Sequence, residues 1–207
     1  MAGDVSANKH KTSWDSAMKN TQPKWIRKIL GGTGIALALF WGFAEGTFFF
    51  IVPDLIISFV AIFDIKKSLR HIIAVLIGSL LAGTLMYYSA ASNFKEMTSA
   101  VLKVPFVTDK MNEQVKKDFE KYGCWALCVG PTSGIPYKLY AINAPKYISF
   151  SSFAIITIPA RIERLILTWF MFSVLGIVLN RRRKNKTLTG TIIFAVYWIA
   201  VYIIYWS

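Results

Sequence analysis

Hydrophobic and polar positions in this chain come in long blocks rather than at short periods. After a polar, basic opening over residues 1–28, no lysine or arginine occurs from Ile29 to Phe63. A helix needs about 20 apolar residues to cross a bilayer, and two with a turn need roughly 40, so this run fits neither case. Glu45 and Asp54 stand inside it, and Gly46 and Pro53 interrupt it where a helix has to break. The pattern predicts a broken hairpin, either re-entrant or built of two short helices.

Further along, residues 65–71 read as a basic loop, and Ile72 to Ala91 as a plain spanning helix on which Gly78 and Gly83 permit close helix approach. Residues 92–123 mix lysines with acids. Met111, Val115, Phe119 and Tyr122 fall there on one helical stripe, which suits a helix lying on the membrane surface or a short helix packed on the protein. Cys124 to Ala160 is apolar again but interrupted from Gly130 to Lys138, where paired glycines and prolines cannot continue a helix. Gly134 and Pro136 mark this second break. The apolar stretch from Leu165 to Asn180 is too short to span comfortably, which puts Arg161 and Arg164 at or inside the membrane boundary. A basic run from Arg181 to Lys186 precedes a last uncharged span, 187–207.

The order is broken hairpin, basic stretch and spanning helix, twice over. With cytoplasmic ends near 28 and 181, parity predicts an inverted repeat, 29–91 against 124–180, with 92–123 as a surface segment between them. Interrupted segments in matching positions of two halves are the sequence signature of a midplane transport site.

Composition narrows the class. Of 207 residues, 55% are hydrophobic and 17% charged, against about a quarter charged in soluble domains. That excludes disorder, a disulfide-stapled module and a soluble enzyme, and predicts an all-α integral membrane protein. The net charge of +13 would suggest nucleic acid in a soluble chain, but no basic face interleaved with stacking aromatics is present. Basic residues between apolar runs instead hold loops on the cytoplasmic side against anionic lipid. They predict a cytoplasmic N-terminus, and the membrane expected for the chain is the bacterial inner one. Cys124, Cys128, His10 and His71 make no metal pattern, and no cofactor is expected.

An acid at membrane depth is a functional-site hypothesis by default, so Glu45 and Asp54 are candidates for proton coupling. The plain alternative for Asp54, directly after Pro53, is a helix cap. Arg161 and Arg164 are three apart and share a helix face. Their planar forks suit a phosphate, unless they snorkel to the headgroups or pair with Glu163 or the hairpin acids. Lys138, at the second break, is a third phosphate ligand or an interfacial anchor.

At these residues the chain resembles the DedA (SNARE-associated, VTT-domain) membrane proteins. Glu45, then Pro53 and Asp54, matches the family's acid followed nine residues later by a second acid through a proline-containing break. The stretch from Gly83 to Tyr88 is similar to its Gly-rich segment, with Thr84 in place of an aspartate. Phe119 to Gly123 leading into a Gly/Pro hairpin, and the later Arg161 and Arg164, look like its second half. The family's Arg-Phe-Ile-Pro-Gly-x-Arg hairpin is replaced by Gly134-Ile135-Pro136-Tyr137-Lys138, closer to the YqaA-like branch. The resemblance covers about 29–180. It implies paired re-entrant hairpins and the flipping or scrambling of anionic phospholipids or polyprenyl phosphates, with protons as a coupling ion. A proton- or cation-coupled small-solute transporter is the alternative. No nucleophile–histidine pair, metal set or Gly-x-Ser-x-Gly elbow is present, so no enzyme is expected.

Overall fold

In a computed structural model, residues 23–182 and 186–206 are described. Most of the basic tail at 1–28 and part of the 181–186 run lie outside them. The described residues are helical and contain no strand. Three helices are long and apolar enough to cross a membrane, at Ile65–Ser92, Phe150–Leu179 and Thr187–Ile204.

The first apolar run divides into α2 (Gly32–Thr47) and α3 (Asp54–Phe63), behind a short α1 (Lys24–Ile29). The break is residues 48–53. Pro53 ends it at the N-cap of α3, as expected, whereas Gly46 sits inside α2. Its role is close approach: a Cβ there would stand 2.6 Å from that of Ala82.

Helix α4 (Ile65–Ser92) begins earlier than the charge pattern suggests. The basic stretch 65–71 is its first turns, not a loop, because Asp64 caps it by accepting from the Lys67 amide at 3.0 Å. Gly78 fits the backbone of α2 against α4, since a Cβ there would run into the Leu39 carbonyl.

Two short helices follow, α5 (Phe94–Val101) and α6 (Asp109–Tyr122). On α6, Val115 and Phe119 are buried in a cluster with Leu127, Leu139 and Tyr140, and Met111 packs against it. The stripe therefore meets the protein itself, while Tyr122 is exposed. Asp118 fixes the contact by accepting from the Tyr140 hydroxyl at 2.6 Å.

The second interrupted region forms α7 (Ala126–Ser133) and α8 (Tyr137–Asn143). Gly130 and Pro131 do not stop α7, contrary to the sequence expectation. The break narrows to Gly134–Pro136, with Gly134 left-handed at φ 73° and Pro136 at the N-cap of α8. Helix α9 (Phe150–Arg182) then runs unbroken through Pro159. Arg161 and Arg164 thus lie well inside one long helix, not at the edge of a short span. The chain closes with α10 (Lys186–Trp206).

Each half therefore reads short helix, break, short helix, long helix. Their packing is reciprocal: α3 of the first half lies on α9, and α8 of the second lies on α4. Two apolar cores result. One holds Met86, Tyr87 and Ala90 of α4 with Phe153 and Ala160 of α9, and the other holds Ile72 and Val75 with Leu165 and Phe172. The two long helices contribute their ends in opposite order, so they run antiparallel, and a polar layer is left between the cores.

Candidate functional site

That layer gathers the charged residues of both hairpins. Glu45 comes from the last turn of α2, Asp54 from the first residue of α3, Lys138 from the start of α8, and Arg161 and Arg164 from one face of α9. Glu45, Asp54, Lys138 and Arg161 are buried, each at 5% exposure or less. Charges so deep need partners, and the fold supplies them across the two halves.

Arg161 forms a buried ion pair with Glu45. Its Nη2 also donates to Ser79 Oγ on α4 at 2.9 Å, and its guanidinium lies 4.7 Å from the centre of the Tyr137 ring. The Tyr137 hydroxyl is in turn 3.3 Å from Thr157 Oγ1. Arg161 is thereby fixed from α2, α4 and α8 at once.

Arg164 is held far more loosely. Its Nη2 faces Asp54 Oδ2 at 3.1 Å, yet neither atom has a hydrogen-bond partner, so charge alone joins them. The other Asp54 oxygen accepts from Thr168 Oγ1 at 2.8 Å. The two Asp54 carboxylate oxygens are thus turned to Thr168 and Arg164 on α9. Glu163, the other sequence candidate for pairing these arginines, is exposed.

Lys138 is not an interfacial anchor. At 1% exposure its Nζ donates to the Phe49 carbonyl in the first break at 2.7 Å.

A cavity of about 150 Å³ lies where the two breaks meet. Glu45, Lys138 and Arg164 supply its charged lining, and Phe49, Phe50, Phe106, Trp198 and Tyr202 its aromatic lining. Arg161 and Asp54 stand behind this surface rather than on it. Helix α10 closes one side through two bonds. Trp198 Nε1 donates to Ser58 Oγ at 2.9 Å, and the Val52 amide donates to the Tyr202 hydroxyl at 3.2 Å.

The structure thus brings together all five charged residues singled out from the sequence. The reading missed Ser79, Thr168, Trp198 and Tyr202. Hydroxyls on spanning helices were the available signal for the first two; nothing in the sequence of α10 points to the others. Comparison of the chain with protein-family models, with curated proteins and with solved structures gives no match in any of the three. Among the described residues, no group of His, Cys, Asp and Glu is arranged to hold a metal.

Proposed function

We propose that this chain is a membrane transporter, a flippase or scramblase, for phosphorylated lipid headgroups. The cavity between the breaks carries this reading, because it offers Lys138 and Arg164 for a phosphate beside an aromatic surface suited to the apolar part of a lipid. The chain sits in a bacterial cytoplasmic membrane, N-terminus inside, with two inverted halves whose breaks enter from opposite faces. The reciprocal packing and antiparallel long helices support that arrangement. The likeness to DedA proteins belongs to the same proposal.

The headgroup phosphate enters between Lys138 and Arg164, and Asp54 competes with it for Arg164. Ionised Asp54 weakens the hold of Arg164 on the phosphate and its protonation strengthens it, which couples lipid movement to protons. Arg161, whose Nη2 is engaged by Glu45 and Ser79 and which does not line the cavity, positions the cavity wall instead of binding substrate. A cation-coupled solute transporter is less well supported, since both acids already face arginines.

Liposomes containing the purified protein and a fluorescent phospholipid test the proposal. Label from the inner leaflet should become reducible by external dithionite only when the protein is present, and Arg164→Lys should abolish that loss. Full activity in Arg164→Lys would remove the phosphate-site assignment.

A further inference from the structure

The charged groups around the cavity do not balance. Lys138, Arg161 and Arg164 stand against Glu45 and Asp54, which leaves one formal positive charge in a buried layer. Among the described residues lining the cavity, no other is charged. An unbalanced charge at this depth is costly, and a net charge of two would cost more.

We propose that the cavity selects a singly charged anion, a phosphodiester headgroup, over a doubly charged phosphomonoester, and that Asp54 sets this limit. The inference rests on the lipid reading above and narrows it. A monoanion between Lys138 and Arg164 brings the layer to neutrality. A dianion overshoots by one charge and lies on the same arginine as Asp54.

The geometry makes Asp54 the discriminating acid. Glu45 is locked by hydrogen-bonded contact with Arg161, while Asp54 Oδ2 faces Arg164 without a hydrogen bond. Arg164 can therefore turn to an incoming phosphate oxygen without breaking a bond, leaving Asp54 with only the Thr168 hydroxyl. The carboxylate then stands close to whatever Arg164 holds, and it repels a second charge there. Removing it leaves room for exactly that charge on the same two cations.

Two short-chain lipids of nearly equal size separate the cases. Dihexanoylphosphatidylmethanol is a phosphodiester with one charge. Dihexanoylphosphatidic acid lacks only the methyl cap and, with a second pKa of about 6, carries close to two at pH ~7.5. By calorimetric titration of the purified protein in detergent at that pH, the methyl ester should bind about tenfold more tightly. Asp54→Asn, with the same shape and one negative charge fewer, should reverse the ranking. Lys138→Gln should weaken the methyl ester by about tenfold, leave uncharged dihexanoylglycerol unaffected, and keep the test open if Asp54→Asn does not fold. Equal affinity of the two lipids for the natural protein overturns the inference, as does an unchanged ranking in folded Asp54→Asn. Binding of neither lipid overturns it together with the transport reading. The expected ranking in a protein that moves no lipid overturns the transport reading alone.

Discussion

Lys138 donates to the carbonyl oxygen of Phe49, and this one bond joins the break of the first half to that of the second. The donor begins a helix and the acceptor lies just past the end of another. Phe49 lies in irregular backbone and Lys138 two residues past the Gly134–Pro136 break, so the bond ties the two interruptions together at the cavity they line.

Loss of that bond should be measurable. Lys138→Met leaves the Phe49 carbonyl without its donor, at a cost of about 1–3 kcal/mol. A lower melting temperature in detergent is the expected result. An unchanged melt would mean that the breaks are held by packing alone.

The two arginine pairs should respond in different ways. Arg161→Ala strands Glu45 in the interior and should cost about 3–5 kcal/mol, much of it recovered when Glu45→Gln is added. Arg164→Lys, at a partly exposed site, should shift stability by no more than about 1 kcal/mol while transport falls. Thermal unfolding and liposome assays on the same preparations check this. Matching behaviour of the two arginines would contradict the division between them.

Opposite entry of the breaks can be read by labelling. In a background with Cys124 and Cys128 changed to alanine, single cysteines at Ile51 and Ser133 should react with a membrane-impermeant maleimide from opposite sides. Labelling from one side at both positions would end the inverted arrangement.

Close helix approach gives a fourth expectation. Gly78→Val places its side chain against the Leu39 carbonyl, so α2 and α4 must separate. Overpacking of this kind costs about 1–3 kcal/mol. It should lower the melting temperature well beyond the effect of Gly32→Val, a position with nothing near its absent Cβ.

Much of this arrangement is legible in the residues. The acids at 45 and 54 and the arginines at 161 and 164 stand out because charge is rare in apolar runs, and each finds its counterpart. What misleads is the use of charge as a boundary marker. Lys66, Lys67 and Arg70 look like a loop yet ride on the first turns of α4, since a capped helix can extend past the apolar zone. Arg161 looks like the edge of a short span for the same reason, when a buried acid lets it sit mid-helix. Pro131 is accommodated within α7, where proline content alone argues for a break. Which break residue meets which was never accessible, because it depends on how the halves pack on each other and not on local pattern.

The reciprocal packing also bears on the order in which the chain is made. Glu45 meets Arg161 across 116 positions, and Asp54 meets Thr168 across 114. A ribosome that has delivered α2, α3 and α4 has therefore released two acids whose partners are not yet synthesised. A chain cut short before α9 lacks both arginines that face these acids, so burial of Glu45 and Asp54 as paired charges waits on the second half.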